Sequence, residues 1–182
     1  MRLLVGVTGG IAAYKAAALV SAAKKRGYEV RVVMTPSATK FVGPLTFEAL
    51  TNHPVMLDAL ATGHSPDGAS AVEHISWAKW AQIAIAAPLT ASTLGRLACG
   101  LADDALTTVW LALPQGVPSV LCPAMNTEMW NKPVVQRNVG WLTDAGHHIV
   151  RPVSKELACG DVGIGGLVDV DDMLDVVDGL RP

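Results

Sequence analysis

Residues 3–10 read Leu-Leu-Val-Gly-Val-Thr-Gly-Gly, an apolar run that ends in a threonine and two glycines. A continuous β-prone run of this length is typical of a buried strand, and the glycine pair permits a tight turn after it. Residues 11–25 then have helical composition, up to a stop at Arg26-Gly27. The opening of the chain therefore predicts a strand, a tight turn and a helix.

The same alternation continues along the chain. Further strands are predicted at 29–34, 82–87, 117–122 and 147–150, and further helices at 44–50, 91–99, 103–113, 133–145 and 170–179. Alternating strands and helices indicate a parallel sheet with helices on both faces. We predict a single α/β domain over residues 1–182, with a Rossmann-like (flavodoxin-like) doubly wound parallel sheet whose ligands bind beyond the carboxyl ends of the strands.

Two segments fall outside this alternation. Residues 62–70 are rich in Gly, Ser, Pro and Asp and are predicted to form a surface loop that leads to His74. Residues 154–167 contain four glycines and no hydrophobic periodicity. A long glycine-rich connection of this kind predicts a flexible flap that covers the substrate.

Composition argues against several classes of partner. The chain of 182 residues is 51% hydrophobic and 16% charged, with a net charge of −2, and its 14 Lys and Arg residues are scattered. No apolar run approaches the roughly 20 residues of a membrane span, and no basic patch suits nucleic acid. The start of the chain lacks a signal-peptide pattern, so we expect a cytoplasmic protein whose surplus apolar surface closes contacts between subunits.

The three cysteines are not paired by spacing. Cys99, Cys122 and Cys159 include no CxxC pair, which argues against a disulfide framework, and no His and acidic residues stand at metal-ligand spacing. Cys99 and Cys122 are expected to be inert packing thiols within a helix and a strand. Cys159 lies in the predicted flap, where exposure and backbone donors would allow it to act as a proton donor or nucleophile.

Four predicted strand ends carry hydroxyl groups or backbone donors: Thr8-Gly9-Gly10, Thr35-Pro36-Ser37, Thr90-Ala91-Ser92-Thr93 and Pro123-Ala124-Met125-Asn126. Such groups at a helix start can bind phosphate, because the first turn of a helix offers unpaired N–H groups and partial positive charge. The same Ser and Thr residues can simply cap helices. The first turn lacks the third glycine of the dinucleotide fingerprint and is not a Walker loop, so the pattern predicts a phosphorylated ligand but neither NAD nor ATP.

Two further residues have both a chemical and a structural interpretation. His74 could transfer a proton near neutral pH, or it could be a hydrogen-bonded structural histidine. Asn126 could orient a substrate carboxylate, or it could cap a helix whose Met129 and Trp130 lie in the core. The residue types alone leave both choices open.

The chain resembles the homo-oligomeric flavin-containing cysteine decarboxylases over nearly its whole length. Residues 8–15, Thr-Gly-Gly-Ile-Ala-Ala-Tyr-Lys, match the flavin turn of that family, and His74 lies in its His-Ile segment. Residues 123–130 fit the signature Pro-x-Met-Asn-x-x-Met-Trp at every fixed position. The pair Asp103-Asp104 also resembles the family, although it could be a helix N-cap.

Two positions depart from the family pattern. Ser92 stands where an Asn usually precedes Thr in the phosphate loop, a substitution that keeps a hydrogen-bonding side chain. Gly166-Leu167 stand where Arg-Met usually follow Gly-x-Gly in the flap. The second change removes a cation that could bind a phosphorylated substrate.

The resemblance implies FMN-dependent decarboxylation of 4'-phosphopantothenoylcysteine to 4'-phosphopantetheine in coenzyme A biosynthesis. Oxidation of the substrate thiol by FMN would give a thioaldehyde, carbon dioxide would leave, and the resulting enethiol would be reduced again. His74 would assist proton removal, Asn126 with Met125 would hold the departing carboxylate, and Cys159 would protonate the enethiol. The implied cofactor contacts are Gly9, Gly10, Ile11, Thr35, Ser37, Pro88, Thr90, Ser92, Thr93, Ala124 and Met125, and the implied substrate contacts are Met125, Asn126, Met129, Ala158 and Gly160.

The resemblance also implies a homotrimer or a dodecamer, with FMN at a subunit interface to which a neighbouring chain can contribute His74. Two other functions stay open. A peptidyl-cysteine decarboxylase, which stops at a C-terminal aminoenethiol, is favoured by the changed flap. A non-catalytic regulatory subunit could share the fold, but His74, Asn126 and Cys159 together argue against it. Cys159 favours the small-molecule substrate, because a reducing half-reaction needs a proton donor.

Overall fold

A five-stranded parallel sheet runs through the computed structural model, which describes residues 1–61, 66, 72–156, 160 and 162–181. Its strands are β1 (Arg2–Val7), β2 (Glu29–Met34), β3 (Ile83–Leu89), β4 (Ser119–Pro123) and β5 (His148–Ile149), in the spatial order β2-β1-β3-β4-β5. This order is that of the flavodoxin-like doubly wound folds. The predicted fold class is confirmed.

Helices connect the strands and cover both faces of the sheet. They are α1 (Tyr14–Lys25), α2 (Pro44–Thr51), α3 (Glu73–Trp80), α4 (Ala91–Ala98), α5 (Ala105–Leu111), α6 (Thr127–Asn131), α7 (Pro133–Asp144) and α8 (Val170–Gly179). Short 3₁₀ turns at Ile11–Ala13 and Ala38–Lys40 follow β1 and β2. The predicted helix at 11–25 is therefore a 3₁₀ turn continued by α1.

Strand β1 separates two hydrophobic cores. Leu3 and Val5 pack in the layer that contains Leu19 of α1, and Leu4 packs in the layer that contains Trp77 of α3. These three β1 residues, Leu3, Leu4 and Val5, are fully buried. A strand that is covered on both faces needs apolar residues at every position, which explains the continuous apolar run in the sequence.

The predicted flap has more regular structure than its sequence suggests. Its described parts form an antiparallel hairpin of β6 (Val153–Glu156) and β7 (Val162–Gly166). These strands are not apparent in the sequence because glycines interrupt the alternation of apolar and polar side chains. The hydrogen bonds between the two strands join backbone groups and do not depend on that alternation. Residues 157–159 and 161 lie outside the described residues, as does the predicted loop at 62–70 apart from Pro66.

Other predictions need smaller corrections. Cys99 is exposed at the end of α4, so it is not a packing thiol. Cys122 is buried in β4, and burial raises the pKa of its thiol well above the ordinary value, which agrees with an inert role. In the part of the chain that the structure describes, every helix is too short or too polar to cross a membrane.

The hydroxyl group of Thr8 joins the ends of β1 and β3. Its Oγ1 donates a hydrogen bond to the carbonyl oxygen of Pro88 at 2.7 Å and accepts one from the backbone N–H of Thr90 at 2.9 Å. Thr8 is fully buried. Both partners would lose their hydrogen bonds if this hydroxyl were removed.

We therefore expect Thr8→Val to lower the free energy of unfolding by about 1–3 kcal/mol, because it removes the hydrogen-bond partner of the buried Pro88 carbonyl oxygen and of the partly buried Thr90 N–H. Thr8→Ser is the matched control, since it keeps the hydroxyl and loses one methyl group. Urea denaturation of the two variants measures the difference. Equal stability of Thr8→Val and Thr8→Ser would show that the bridge contributes little.

Candidate active site

A cavity of about 1280 Å³ opens at the carboxyl ends of the parallel strands. Ligand pockets commonly measure roughly 300–1,000 Å³, so this space can hold a cofactor together with a substrate. All the residues predicted to bind the cofactor line it: Gly9, Gly10, Ile11, Thr35, Ser37, Pro88, Thr90, Ser92, Thr93, Ala124 and Met125. The structure thus brings the four predicted strand ends together.

The turn after β1 lies directly against the turn after β2. A Cβ atom placed on Gly9 would lie 2.5 Å from Cβ and 2.7 Å from the carbonyl carbon of Ser37, so only glycine fits there. Thr35 Oγ1 lies 3.1 Å from Ser37 Oγ and accepts a hydrogen bond from the backbone N–H of Ala38 at 3.3 Å. The hydroxyl groups of this turn therefore hold in place the part of the cavity wall that follows β2.

The turn after β3 starts α4, where one residue caps the helix and another is exposed to the cavity. Thr90 is the N-cap of α4, and its Oγ1 accepts a hydrogen bond from the backbone N–H of Thr93 at 3.4 Å. Ser92 is exposed on the cavity wall in the first turn of the same helix. A helix start of this kind offers N–H groups and partial positive charge to an anion.

The turn after β4 carries the predicted carboxylate ligand. Asn126 is half-buried and caps α6, because its Oδ1 accepts a hydrogen bond from the backbone N–H of Glu128 at 2.8 Å. Met129 is 46% exposed and lines the cavity, so it does not lie in the core as the capping interpretation had it, whereas Trp130 is buried.

The β6–β7 hairpin closes the side of the cavity beside Met125. The backbone N–H of Met125 donates to the carbonyl oxygen of Gly165 at 2.9 Å. A side chain on Gly165 would collide with Met125 O, and this glycine also has a positive φ of 152°. Glycine at position 165 thus allows the hairpin to dock on the turn after β4.

Other predicted site residues lie elsewhere. His74 is half-buried on α3, its Nδ1 lies 3.2 Å from the carbonyl oxygen of Ala59, and it is not among the described residues that line the cavity of its own chain. Gly160 is described but also does not line the cavity. Ala158 and Cys159 lie outside the described residues. The roles of all these residues stay predictions.

Several charged residues of the cavity wall were not predicted: Lys15, Lys40, Arg96, Lys155 and Glu156. Lys15 could have been noticed, because it falls within the quoted stretch 8–15 and in the first turn of the helix after the glycine pair. Lys155 gave no such signal, since it lies in a segment without periodicity. Burial, and next the neighbouring Lys15, lower the pKa of Lys155.

The acidic pair Asp103-Asp104 has a structural role. Asp104 caps α5 in a capping box with Thr107, as the N-cap interpretation predicted. Arg96 Nη1 lies 2.9 Å from Asp104 Oδ2 and 3.5 Å from Asp103 Oδ1. Within the described ranges, no group of three or more His, Cys, Asp and Glu side chains is arranged to hold a metal ion.

Comparison with known proteins identifies the family. The model of the Flavoprotein family matches residues 1–181. The chain belongs to the Flavoprotein family. Among relatives of this flavoprotein, the probable phosphopantothenoylcysteine decarboxylase of Streptococcus mutans serotype c is 42% identical over 177 residues, which cover 97% of each chain. The coenzyme A biosynthesis bifunctional protein CoaBC of Bacillus subtilis is 43% identical over 172 residues, which cover 94% of this chain and 41% of the bifunctional protein.

Solved structures of similar proteins have the same fold. A cysteine-to-serine mutant of PPC decarboxylase, complexed with pantothenoylaminoethenethiol, superposes with a TM-score of 0.88 and 32% identity, over 97% of this chain and 96% of that chain. SpaF, named as an FMN-dependent cysteine decarboxylase, superposes with a TM-score of 0.83 and 31% identity, over 100% of this chain and 98% of that chain. The flavoprotein fold therefore extends over nearly the full described chain.

The contact between Gly9 and Ser37 generates a test of the cavity geometry. We expect Gly9→Ala to lower the free energy of unfolding by about 1–3 kcal/mol, because the added methyl group must push the turn after β2 aside. Gly10→Ala is the matched control, since its Cβ would lie at an ordinary 3.5 Å from Thr90 Cγ2. Urea denaturation and flavin absorbance measure stability and flavin retention. The close-packing argument fails if both variants are equally stable.

Proposed function

We propose that this chain is an FMN-dependent decarboxylase that converts 4'-phosphopantothenoylcysteine to 4'-phosphopantetheine in coenzyme A biosynthesis. The observation that carries the proposal is the meeting of the flavin turn, the start of α4 and the Asn126 turn in one cavity. The relative from Streptococcus mutans and the PPC decarboxylase structure, which match 97% of the chain, support the same activity.

The cavity wall fits FMN. Backbone N–H groups and hydroxyls at the glycine turn and at the start of α4 suit the phosphate, and Ile11, Pro88, Ala124 and Met125 offer apolar surface for the flavin ring. Bound FMN supplies a two-electron acceptor for oxidation of the substrate thiol. The protein's own contribution is to bind the substrate, orient its carboxylate and move protons.

Asn126 is the proposed ligand of the substrate carboxylate. Its Oδ1 accepts a hydrogen bond from the N–H of Glu128, which fixes the orientation of the amide with Nδ2 as its donor end. An amide can donate to a carboxylate without adding charge, so the carboxyl group can bind as an anion and leave as neutral carbon dioxide. Met129 adds apolar surface beside it.

His74 requires a second subunit in this proposal. It is not among the described residues that line the cavity of its own chain, whereas Ile11 and Tyr14 on the cavity wall are 61% and 62% exposed. A trimer, or a dodecamer of trimers, would cover these apolar side chains and would bring His74 of one subunit to the cavity of another. We place this homo-oligomer in the cytoplasm. Its native mass, which can be measured directly, distinguishes a trimer from a dodecamer.

Asn126→Asp tests the carboxylate site. Aspartate keeps the helix cap, since its oxygen can still accept from the N–H of Glu128, so the fold and the flavin should be retained. Decarboxylation should fall by about a hundredfold or more, because the variant places a negative charge where the substrate carboxylate binds. Anaerobic turnover assays with flavin absorbance measure both properties, and normal turnover would contradict the assigned role.

Cys159→Ser tests the proposed proton donor of the reductive step. The variant should still release carbon dioxide but should accumulate the oxidised enethiol-type product, because serine is a much weaker acid than a thiol. Mass spectrometry of the product distinguishes the enethiol from the saturated thiol. Full conversion to the saturated thiol would remove Cys159 from the mechanism.

The overall activity is tested by anaerobic incubation of the flavin-loaded protein with 4'-phosphopantothenoylcysteine. Loss of carbon dioxide from the substrate mass, with flavin absorbance returning to the oxidised spectrum, is the expected result. A flavin-loaded protein that leaves this compound unchanged but decarboxylates a peptide ending in cysteine would establish the peptidyl-cysteine alternative. Inactivity on both substrates would favour a non-catalytic role.

A further inference from the structure

The absence of a side chain at position 166 makes room for Lys155. A Cβ atom placed on Gly166 would lie 2.6 Å from Cγ and 2.8 Å from Cδ of Lys155, so the lysine stem crosses the place where a side chain at position 166 would begin. The Lys155 ammonium donates a hydrogen bond to the carbonyl oxygen of Leu167. Lys155 therefore carries a positive charge from β6 across the hairpin to the cavity wall.

Lys15 brings a second positive charge to the same wall. It lies in the first turn of α1, lines the cavity and has a side chain that is only 24% exposed. Lys15 Nζ lies 3.7 Å from Asp169 Oδ1, but the Asp169 side chain is 81% exposed and its charge is strongly screened by water. The proximity of Lys15 contributes to the lowered pKa of Lys155, after burial, so the two ammonium groups repel one another.

The other charged groups of the cavity wall do not neutralise this pair. Arg96 is bound by Asp103 and Asp104, so those two carboxylates are already engaged. Glu156 adds one carboxylate but is exposed, and Lys40 adds a further cation. Partly buried ammonium groups that face one another are stabilised by an anion that bridges them.

We propose that Lys155 and Lys15 bind the phosphate of the substrate and thereby select a phosphorylated cysteine conjugate over an unphosphorylated one. The inference rests on the proposed function and names the residues that set its substrate specificity. A phosphate group suits the site because its three oxygens can accept hydrogen bonds from both ammonium groups at once. Lys155 keeps two N–H donors for this purpose after its bond to Leu167.

The position of the hairpin places the Lys155 end of this anion site on the substrate side of the cavity. Met125 binds Gly165 of β7 through its backbone N–H, so Lys155 belongs to the wall that also carries Asn126 and Met129. The donors proposed for the flavin phosphate lie at the strand ends around Gly9 and at the start of α4. A cation on the hairpin wall can therefore contact a substrate whose carboxylate is held by Asn126.

The test compares 4'-phosphopantothenoylcysteine with pantothenoylcysteine, which lacks the phosphate. For Lys155→Gln, we expect KM for the phosphorylated substrate to rise about tenfold or more, as for the loss of a hydrogen bond between charged groups. The kcat for this substrate and the KM for the unphosphorylated substrate should change little. Lys155→Arg should restore most of the affinity, and Lys25→Gln, at an exposed position outside the cavity, is the charge-matched control.

Three results would overturn the inference: an equal loss for both substrates, no loss for either, or a loss of bound flavin from Lys155→Gln, which would place Lys155 in the cofactor site. Calorimetric binding of 4'-phosphopantetheine and pantetheine to the flavin-loaded protein separates this test from the proposed reaction. A preference for the phosphorylated compound that depends on Lys155 would support the anion site even if the protein decarboxylated neither substrate. An absence of preference would reject the anion site, whatever the turnover.

Discussion

The hydroxyl group of Thr8 fixes the geometry on which the cavity depends. It binds the carbonyl group of Pro88 and the N–H of Thr90, so the end of β1 and the start of α4 cannot move apart without breaking a buried hydrogen bond. On one side, Gly9 packs against Ser37 at the end of β2. On the other side, the N–H of Ala124 donates to the carbonyl oxygen of Leu89 at 3.0 Å and joins the ends of β3 and β4. The four strand ends thus form one rigid wall.

This rigidity explains why capping and ligand binding are not competing uses of the same residues. Thr90 caps α4 through its side chain and also donates its backbone N–H to Thr8. Asn126 caps α6 with its oxygen. Each cap uses one polar group of the residue and holds the helix start in place, so the remaining first-turn N–H groups can serve a ligand. A loosely held turn would lose conformational entropy when it became ordered around a ligand. The turns of this wall are already ordered by folding, so ligand binding does not carry that entropy loss.

The sequence predicts this wall well because each of its strands is rich in apolar residues and either is followed by Thr or ends in Pro. The side of the cavity formed by the hairpin is different. Strands β6 and β7 are held by backbone hydrogen bonds and by glycines such as Gly165 that dock against Met125, and neither feature leaves a periodic pattern. His74 could be singled out from its sequence context, but it is not among the described residues that line the cavity of its own chain, so its role stays a prediction. The resemblance implied a role for Cys159, which lies outside the described residues.

Position 166 shows why a departure from a family pattern must be judged in three dimensions. Along the sequence, Gly166 marks the loss of a cation. In the fold, the space left by that side chain is crossed by the stem of Lys155, and Lys15 approaches the same wall from a helix that is distant in sequence. A bound phosphate group needs a positive charge close to it in space, whichever residue provides that charge, because the Coulomb energy depends on the distance between the charges. A lysine on β6 can therefore meet the requirement that an arginine on β7 would meet, provided that residue 166 stays small.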